Sequence, residues 1–309
     1  MKEASYYEKL DNGSVRCLLC PHRCTLRQDD TGVCRVRSNI GGRLYSMNYA
    51  CVASIAVDPV EKKPLYHFYP GSLILSAGTL GCNFKCSWCQ NWTIAHGDDR
   101  GTARKVGQTI VHDEDQIRVF GGARTMEMTP EALADLAEEY ANGGSIGVAY
   151  TYNEPSIWYE FVLDTARLVK EKGLANVLVT NGFINKEPLE ELLPYIDAMN
   201  IDVKAFSDDF YKRYCKGGLD HVRQTVERAA QSCHVEITTL VIPGLNDSPE
   251  EIGELAKWLA SIDRDMVLHL TRFFPSYNMG DIGPTPRKTL ESARESAHEY
   301  LRHVYLGNI

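Results

Sequence analysis

Nowhere in this chain of 309 residues do eighteen uncharged apolar residues run together, so the sequence offers no segment of membrane-spanning length. The opening "MKEASYYEKLDNG" holds no apolar core of signal-peptide length either, and a cytoplasmic protein is expected. An excess of basic residues is also missing, with 33 Lys and Arg against 41 Asp and Glu and a formal charge of −8. A balance of that sign does not suit nucleic acid or anionic membranes, and neither is expected as a partner. Fixed-period repeats, low-complexity tracts and a glycine-rich dinucleotide fingerprint after the first strand-like run are absent too. What is left is an ordinary folded composition, 44% hydrophobic and 24% charged, long enough for one large α/β domain with an appendage.

Cysteine, by contrast, is plentiful. Ten cysteines without a secretory signal read as metal ligands or reactive thiols, because a reducing compartment does not maintain a disulfide framework. Cys17, Cys20, Cys24 and Cys34 form one group and Cys82, Cys86 and Cys89 another, while Cys51, Cys215 and Cys233 stand alone. The three singletons read as small buried hydrophobes.

From about residue 72 the chain alternates strand-like apolar runs with helix-like stretches. Strands are expected over 72–79, 145–152, 176–182, 197–206, 234–244 and 266–273. "TPEALADLAEEYANGG" carries Thr129 as N-cap, Pro130 at the first helical position and glycine closure at Gly143, which predicts a helix of about a dozen residues. Further helices are expected in 155–173, 186–195, 219–232, 248–262 and 288–303. Six strands each led onward by a helix imply parallel crossovers. The expected fold is α/β, a partial (β/α)6 TIM-like barrel over residues 71–309, preceded by a Cys-rich N-terminal extension over 1–70. The stretch 103–127 reads as an extended insertion over the site.

Functional residues on such folds gather at the C-terminal ends of the strands. The same ends here carry "GCNFKCSWCQN", "TYNEP", "TNG", "DVK", "IPGLND" and "TRFFP". The C-x3-C-x2-C spacing closes three thiolates within one short loop, tight enough to wrap a four-iron, four-sulfide cube with one iron left open. A zinc site completed by His96 or His67, or three buried thiols, are the blander readings. Lys204 offers a cation to an α-carboxylate, and Asp202 and Glu154 offer acceptors to an ammonium or ribose. Taken singly, each also has an ordinary structural reading: a solvated pair for Asp202 and Lys204, a helix start for Asn153-Glu154-Pro155, a turn for Asn181-Gly182.

These motifs resemble those of the radical S-adenosylmethionine (SAM) enzymes, whose cluster motif is C-x3-C-x-aromatic-C, with Trp88 at the aromatic position. The resemblance implies a 4Fe-4S cluster on Cys82, Cys86 and Cys89, SAM on its open iron, and reductive cleavage to a 5′-deoxyadenosyl radical that abstracts hydrogen. More closely, the motif order is similar to the pyruvate formate-lyase activating enzymes. Asn91 follows the third cysteine as theirs does; "YNEP" (Tyr152, Asn153, Glu154, Pro155) stands where they have G-G-E-P, with the glycines replaced; Thr180 and Asn181, and Asp202 and Lys204, match their next strand-end motifs. His269 or Tyr277 stands in for their last, histidine-bearing loop. The cues "CLLCPHRC", "GVCRVR", "KKPLYHFYPG", "LTRFFP" and "VYLGN" resemble the radical SAM component of the AmmeMemoRadiSam system. Members of that group continue into a tail with C-P-x-C, and this sequence runs to Ile309 without one.

The resemblance implies a protein or peptide substrate, a flavodoxin- or ferredoxin-type electron donor, and partners of the Memo-like and AMMECR-like types. A radical SAM reaction on a small molecule and a non-catalytic zinc-binding scaffold are the alternatives. Cys17, Cys20, Cys24 and Cys34 supply four thiolates for a possible second metal, either zinc or a second iron-sulfur cluster, or remain unmetallated. His22 beside Cys20 is a substitute ligand or an exposed loop histidine. Of the many aromatics, Tyr150 and Tyr152 alternate on a strand, and a catalytic role for either is the lesser reading.

Overall fold

The computed structural model of the protein describes residues 1–97, 117–120 and 123–309. One eight-stranded sheet forms its centre. The strands are β1 (Ser54–Pro59), β2 (Leu73–Gly78), β3 (Ser145–Tyr150), β4 (Ala175–Thr180), β5 (Ala198–Asp202), β6 (His234–Val241), β7 (Val267–Arg272) and β8 (His303–Gly307), and they lie side by side in chain order. β1 is antiparallel to β2, and every later neighbour is parallel. The six crossovers that parallel pairing requires contain α1 (Pro130–Ala141), α2 (Tyr159–Glu171), α3 (Lys186–Leu192), α4 (Leu219–Ala229), α5 (Pro249–Ile262) and α6 (Arg287–His298). β1 and β8 are the two edges, so the sheet is open, a partial barrel.

All six expected strands are present, and two more join them. β8 follows α6 after only four residues and buries just Val304, and β1 is only half-buried along its length; neither gives the buried run that marks the others. α1 forms for the reasons its sequence suggests: the Thr129 hydroxyl accepts from Ala132 N at 3.2 Å, Pro130 opens the first turn, and Leu133, Ala134 and Ala137 face the core. Fully burying Leu133 alone contributes about 1.5–3 kcal/mol.

Residues before β1 make small antiparallel sheets. Lys2–Glu3 and Arg37–Ile40 flank Arg43–Ser46, and Val15–Cys17 lies between Tyr7–Lys9 and Thr25–Leu26. Cys51–Val52 pairs with Ala123–Glu127, which pairs with Ile117–Phe120. Most of the expected insertion, residues 103–116, 121 and 122, lies outside the described residues.

The sheet alternates. Met199, Ile201, Val235, Ile237, Leu268 and Leu270 enter one apolar cluster with the helices, while Asn200, Glu236 and His269, at the intervening positions, meet residues 64–67 on the other face. Asn200 Nδ2 donates to Pro64 O at 2.8 Å. Glu236 is buried and accepts from Tyr66 N at 2.9 Å, His67 N at 2.7 Å, His234 Nε2 at 2.9 Å and His269 Nε2 at 2.6 Å. The "KKPLYHFYPG" segment thus caps the end of the sheet remote from the cysteine loop. Burial pushes the Glu236 carboxyl up, but the bonds from His234, His269 and the two amides prevail and hold it at about 2, below the ordinary 4.5.

A carboxyl depressed on folding contributes stability above its unfolded value and loses it as pH falls through the folded one. Unfolding free energy should therefore fall between about pH 4.5 and about pH 2. Glu236→Gln should flatten that slope and cost about 1–3 kcal/mol at neutral pH by leaving an amide unsatisfied. Urea unfolding at several pH values checks both, and an unchanged slope would remove Glu236 from this role.

Candidate functional site

At the C-terminal ends of the strands the chain turns through its polar motifs. After β2, residues 79–91 form a loop without regular structure, followed by a single helical turn at Trp92–Ala95. Cys86 is buried, Cys82 and Cys89 partly so. Cys89 N donates to Cys86 O at 3.2 Å, closing the turn that brings the second and third thiols together. Trp88 is buried with its ring 5.3 Å from Phe210.

Four asparagines and one glutamate fasten this loop to the neighbouring strands. Asn153 Nδ2 donates to Gly81 O at 2.7 Å, and its Oδ1 accepts from Thr79 N at 3.2 Å. Asn91 Nδ2 donates to Tyr152 O at 2.5 Å. Asn181 Nδ2 donates to Asn83 Oδ1 at 2.8 Å and lies 3.8 Å from Cys82 Sγ, while Asn83 Nδ2 reaches Phe183 O at 2.8 Å. Glu154 is 1% exposed and accepts from Ser156 N, Thr180 Oγ1 and Asn181 N at 2.9, 2.7 and 2.8 Å. Burial raises its pKa against the pull of these donors.

Lys204 Nζ sits 2.9 Å from Asp202 Oδ2. Although burial works against the cation, Asp202 and the nearby Cys86 raise its pKa. The loop's thiols are shifted the other way from reactive: burial, then Glu154 and the other thiols, raise Cys82, and burial with Cys86 pushes Cys89 up to about 11. Without a metal the loop therefore holds thiols, and a soft multivalent cation is what would stabilise the thiolates.

Tyr152 has φ +72°, the left-handed region that costs a non-glycine residue about 1–2 kcal/mol. It occupies the first position of "YNEP", where the resembling family has glycine. The backbone there thus adopts the conformation glycine favours, although the residue is tyrosine. Gly78 faces it at the end of β2, where a Cβ would lie 2.5 Å from Thr151 O, so β2 and β3 approach too closely there for any side chain.

The donor set suits a cluster held by three thiolates. Three soft sulfurs sit in one partly buried loop, an amide N–H faces one of them, and an ammonium stands beside another. Among the described residues no three His, Cys, Asp or Glu side chains are gathered as a single metal ion would need.

Other expected residues lie elsewhere. His67 donates or accepts at Tyr305 OH, 2.8 Å, and His269 is bound to Glu236; both belong to the far end of the sheet. His96 and Trp92 stack on Tyr277 beside the cysteine loop. Tyr150 is buried with its hydroxyl on Asn176, and Tyr152 OH reaches Asp58 at 3.3 Å. His22 is half-buried, with Nε2 2.7 Å from Asn83 O. Cys17, Cys20, Cys24 and Cys34 line a separate cavity.

Two features escaped the sequence. Cys215, at the end of a π-helical turn over Tyr211–Cys215, is buried with its thiol hydrogen-bonded to that of Cys86, and its carbonyl accepts from Lys85 N at 2.8 Å. A lone cysteine gave no signal of this. Asn83, inside the cysteine motif, serves as the joint between loop, β4 and His22, a role only the pairings reveal.

Losing the Asn153 side chain leaves Gly81 O and Thr79 N without their partner and should cost the loop about 1–3 kcal/mol. In Asn153→Ala, hydrogen exchange at Thr79 should quicken by about tenfold or more, since 1.4 kcal/mol is a factor of ten. Iron uptake on anaerobic reconstitution should fall in parallel, and unaltered exchange would contradict the fastening role.

The family model described as the Radical SAM superfamily matches residues 77–259. Over 312 residues the chain is 42% identical to the uncharacterized protein MJ0808 of Methanocaldococcus jannaschii, covering 100% of this chain and 86% of that one. It is 27% identical to the pyruvate formate-lyase-activating enzyme of Clostridium pasteurianum over 188 residues, 59% of this chain and 67% of the relative. The solved structure of Streptococcus suis SuiB bound to S-adenosylmethionine aligns with a TM-score of 0.53 at 13% identity, over 74% of this chain and 48% of SuiB. The likeness to SuiB concerns the fold and spans about half of that protein.

Proposed function

This chain belongs to the radical SAM superfamily, an enzyme family that uses a 4Fe-4S cluster and SAM, and from that premise we propose that Cys82, Cys86 and Cys89 hold the cluster. When bound, that cluster would supply one electron to the sulfonium of SAM, whose reductive cleavage would give methionine and a 5′-deoxyadenosyl radical able to take hydrogen from the substrate. The observation that carries this reading is the convergence of the three-thiol loop with Glu154, Asn181, Asp202 and Lys204 at the ends of successive parallel strands.

Within it, Lys204 pairs with the α-carboxylate of SAM, and Asp202 both holds Lys204 and faces the ammonium or ribose. Glu154 acts through its neighbours: it fixes Thr180 and Asn181, and Asn181 directs an N–H towards Cys82. Asn153 and Asn91 hold the loop, the first from β3 and the second through Tyr152 O. Trp88 packs the loop from beneath. A hydrogen bond to a cluster sulfur shifts its reduction potential, which gives Asn181 an electronic as well as a positioning part.

The substrate we propose is a protein or peptide, in keeping with the activating-enzyme relatives, with a flavodoxin- or ferredoxin-type protein as electron donor. The motif set "CLLCPHRC", "KKPLYHFYPG" and "VYLGN" supports placement in the AmmeMemoRadiSam group, with Memo-like and AMMECR-like proteins as partners. We place the Cys-rich extension at 1–70 and the radical SAM core at 71–309, the extension lending β1 to the core sheet. Cys17, Cys20, Cys24 and Cys34 are a second metal group in this reading. No helix among the described residues is long and apolar enough to cross a membrane, and a cytoplasmic setting completes the proposal.

Anaerobically reconstituted protein given SAM and dithionite should form 5′-deoxyadenosine, and Cys86→Ala should form none. Lys204→Met should weaken SAM binding by about 10- to 100-fold, the loss of one charge-assisted contact of about 1.4–3 kcal/mol. A chain loaded with four irons that leaves SAM intact would overturn the reading.

A further inference from the structure

The four N-terminal cysteines reach one cavity from one β-hairpin and a later turn. Val15–Cys17 ends its strand at Cys17, whose N donates to Cys24 O at 3.0 Å across the hairpin. Cys20 and Arg23 close the intervening turn, Arg23 N donating to Cys20 O at 3.1 Å. Cys34 comes from a later turn, where Arg35 N donates to Gly32 O at 2.8 Å. A Cβ on Gly32 would lie 3.6 Å from Cys24 Sγ, so the second turn closes directly over the first. The cavity between them is about 10 Å³, lined by the four cysteines, Arg37, His22 and apolar side chains; the His22 Nε2 is already engaged with Asn83 O.

Four thiols among apolar neighbours are compatible with plain packing. Arg37 is not. It is 1% exposed, and its Nη2 donates to Glu160 Oε2 at 2.6 Å. Its Nε and Nη1 are buried without a hydrogen-bond partner, although each such group costs about 1–3 kcal/mol when left unpaired. Both belong to a side chain that lines the cysteine cavity. Neutral thiols are weak acceptors and would leave that cost standing. Four thiolates around a divalent ion carry a net charge of −2, and they would take both N–H groups and the positive charge together.

About 10 Å³ is the space of roughly one water-sized probe, which suits a single ion. We propose that Cys17, Cys20, Cys24 and Cys34 hold a single structural zinc ion, with Arg37 donating to the thiolate sulfurs from behind. As they stand, no three of these thiols are gathered as a single ion needs, so binding draws them together across the cavity and releases their protons. Zinc is the fitting ion because a closed, soft, tetrahedral sulfur site with no open position is its structural preference. The inference stands apart from the radical chemistry, since none of its ligands is in the 82–89 loop.

The site is a clamp. Asn185, after β4, donates through N to Leu19 O at 3.0 Å and through Nδ2 to Leu18 O at 2.6 Å. His22 holds Asn83 of the cysteine loop, and Arg37 holds Glu160 of α2. The segment that wraps the ion thereby touches β4, the cluster loop and the helix after "YNEP".

The test is metal analysis of the full chain carrying Cys82→Ser, Cys86→Ser and Cys89→Ser, which separates this site from the cluster. About one zinc per chain should remain, and adding Cys24→Ser should remove it. Replacing zinc with cobalt should give the visible bands of a tetrahedral thiolate site. Should the Cys24→Ser chain fail to fold, titrating the unaltered chain with a mercurial should release one zinc from the folded protein. Arg37→Lys keeps the charge opposite Glu160 but loses the planar donor fork, and its zinc affinity should fall about 10- to 100-fold. Iron with sulfide in the triple-serine chain, no metal at all, or unchanged zinc affinity in Arg37→Lys would each overturn the proposal.

Discussion

A carboxylate with almost no solvent exposure, Glu154, is what the upper end of the sheet depends on. Its charge is tolerable in that position only because backbone N–H groups of Ser156 and Asn181 and the Thr180 hydroxyl all converge on it. Since Ser156 follows β3 and Asn181 follows β4, the same bonds join two strand ends whose ladder stops at the Tyr150–Leu178 pair. Asn181, fixed by its backbone, can then present its side chain to Asn83 and Cys82. Asn153, the residue before Glu154, fixes the start of the same loop. The cysteine loop has no regular structure of its own, and its shape is set by these borrowed partners. Networks of this kind rigidify when every member is satisfied and fail together when one is removed.

The two ends of the sheet solve opposite problems. Below, Glu236 gathers two amides and two imidazoles from residues 66, 67, 234 and 269, so the chain segment that caps the sheet is bound by charge-assisted bonds as well as by the buried Leu65 and Phe68, which pack on Ile74, Ala149, Val177 and Ala198. Above, the strand ends stay polar and are crossed by loops that leave thiol, carboxylate and ammonium groups near one another. Placing functional groups at the carboxyl ends of parallel strands is the general habit of α/β folds. Here the other end is closed by a network that leaves none of its carboxylate capacity for a ligand.

Sequence alone makes the core of this arrangement readable. The six expected strands are short, strongly buried runs, and helices such as α1 and α5 have an apolar face and a recognisable start, at Thr129 and Ser248. β8 is missed because only Val304 in it is buried, and a five-residue half-exposed run four residues after a helix looks like that helix's frayed end. β1 escapes for a related reason: its alternation is faint. The pairings across the chain are invisible for a different cause. Arg37 and Glu160 are separated by 123 positions, and His22 and Asn83 by 61; nothing local in either residue announces the other. Tyr152 is the subtlest case, since a tyrosine gives no sign that the backbone beneath it adopts a conformation glycine favours.

These long-range pairings also explain why the N-terminal segment and the cysteine loop cannot move independently. Gly81, whose own φ is +86°, passes so close to Cys34 O that an added Cβ would lie 2.4 Å away. On the other side of the same loop His22 Nε2 reaches Asn83 O. Both Cys34 and His22 lie in the turns that converge on the N-terminal cavity, so displacing those turns would move Gly81 and Asn83, the residues that Asn153 and Asn181 grip from the opposite side. The loop is therefore held between two sets of bonds whose members belong to different parts of the chain. A bond of this kind contributes about 0.5–1.5 kcal/mol by itself, yet a loop with no ladder or helix of its own has few other contributions to its geometry. The order of its three thiols thus depends on contacts from the N-terminal segment as much as on the strand that precedes them.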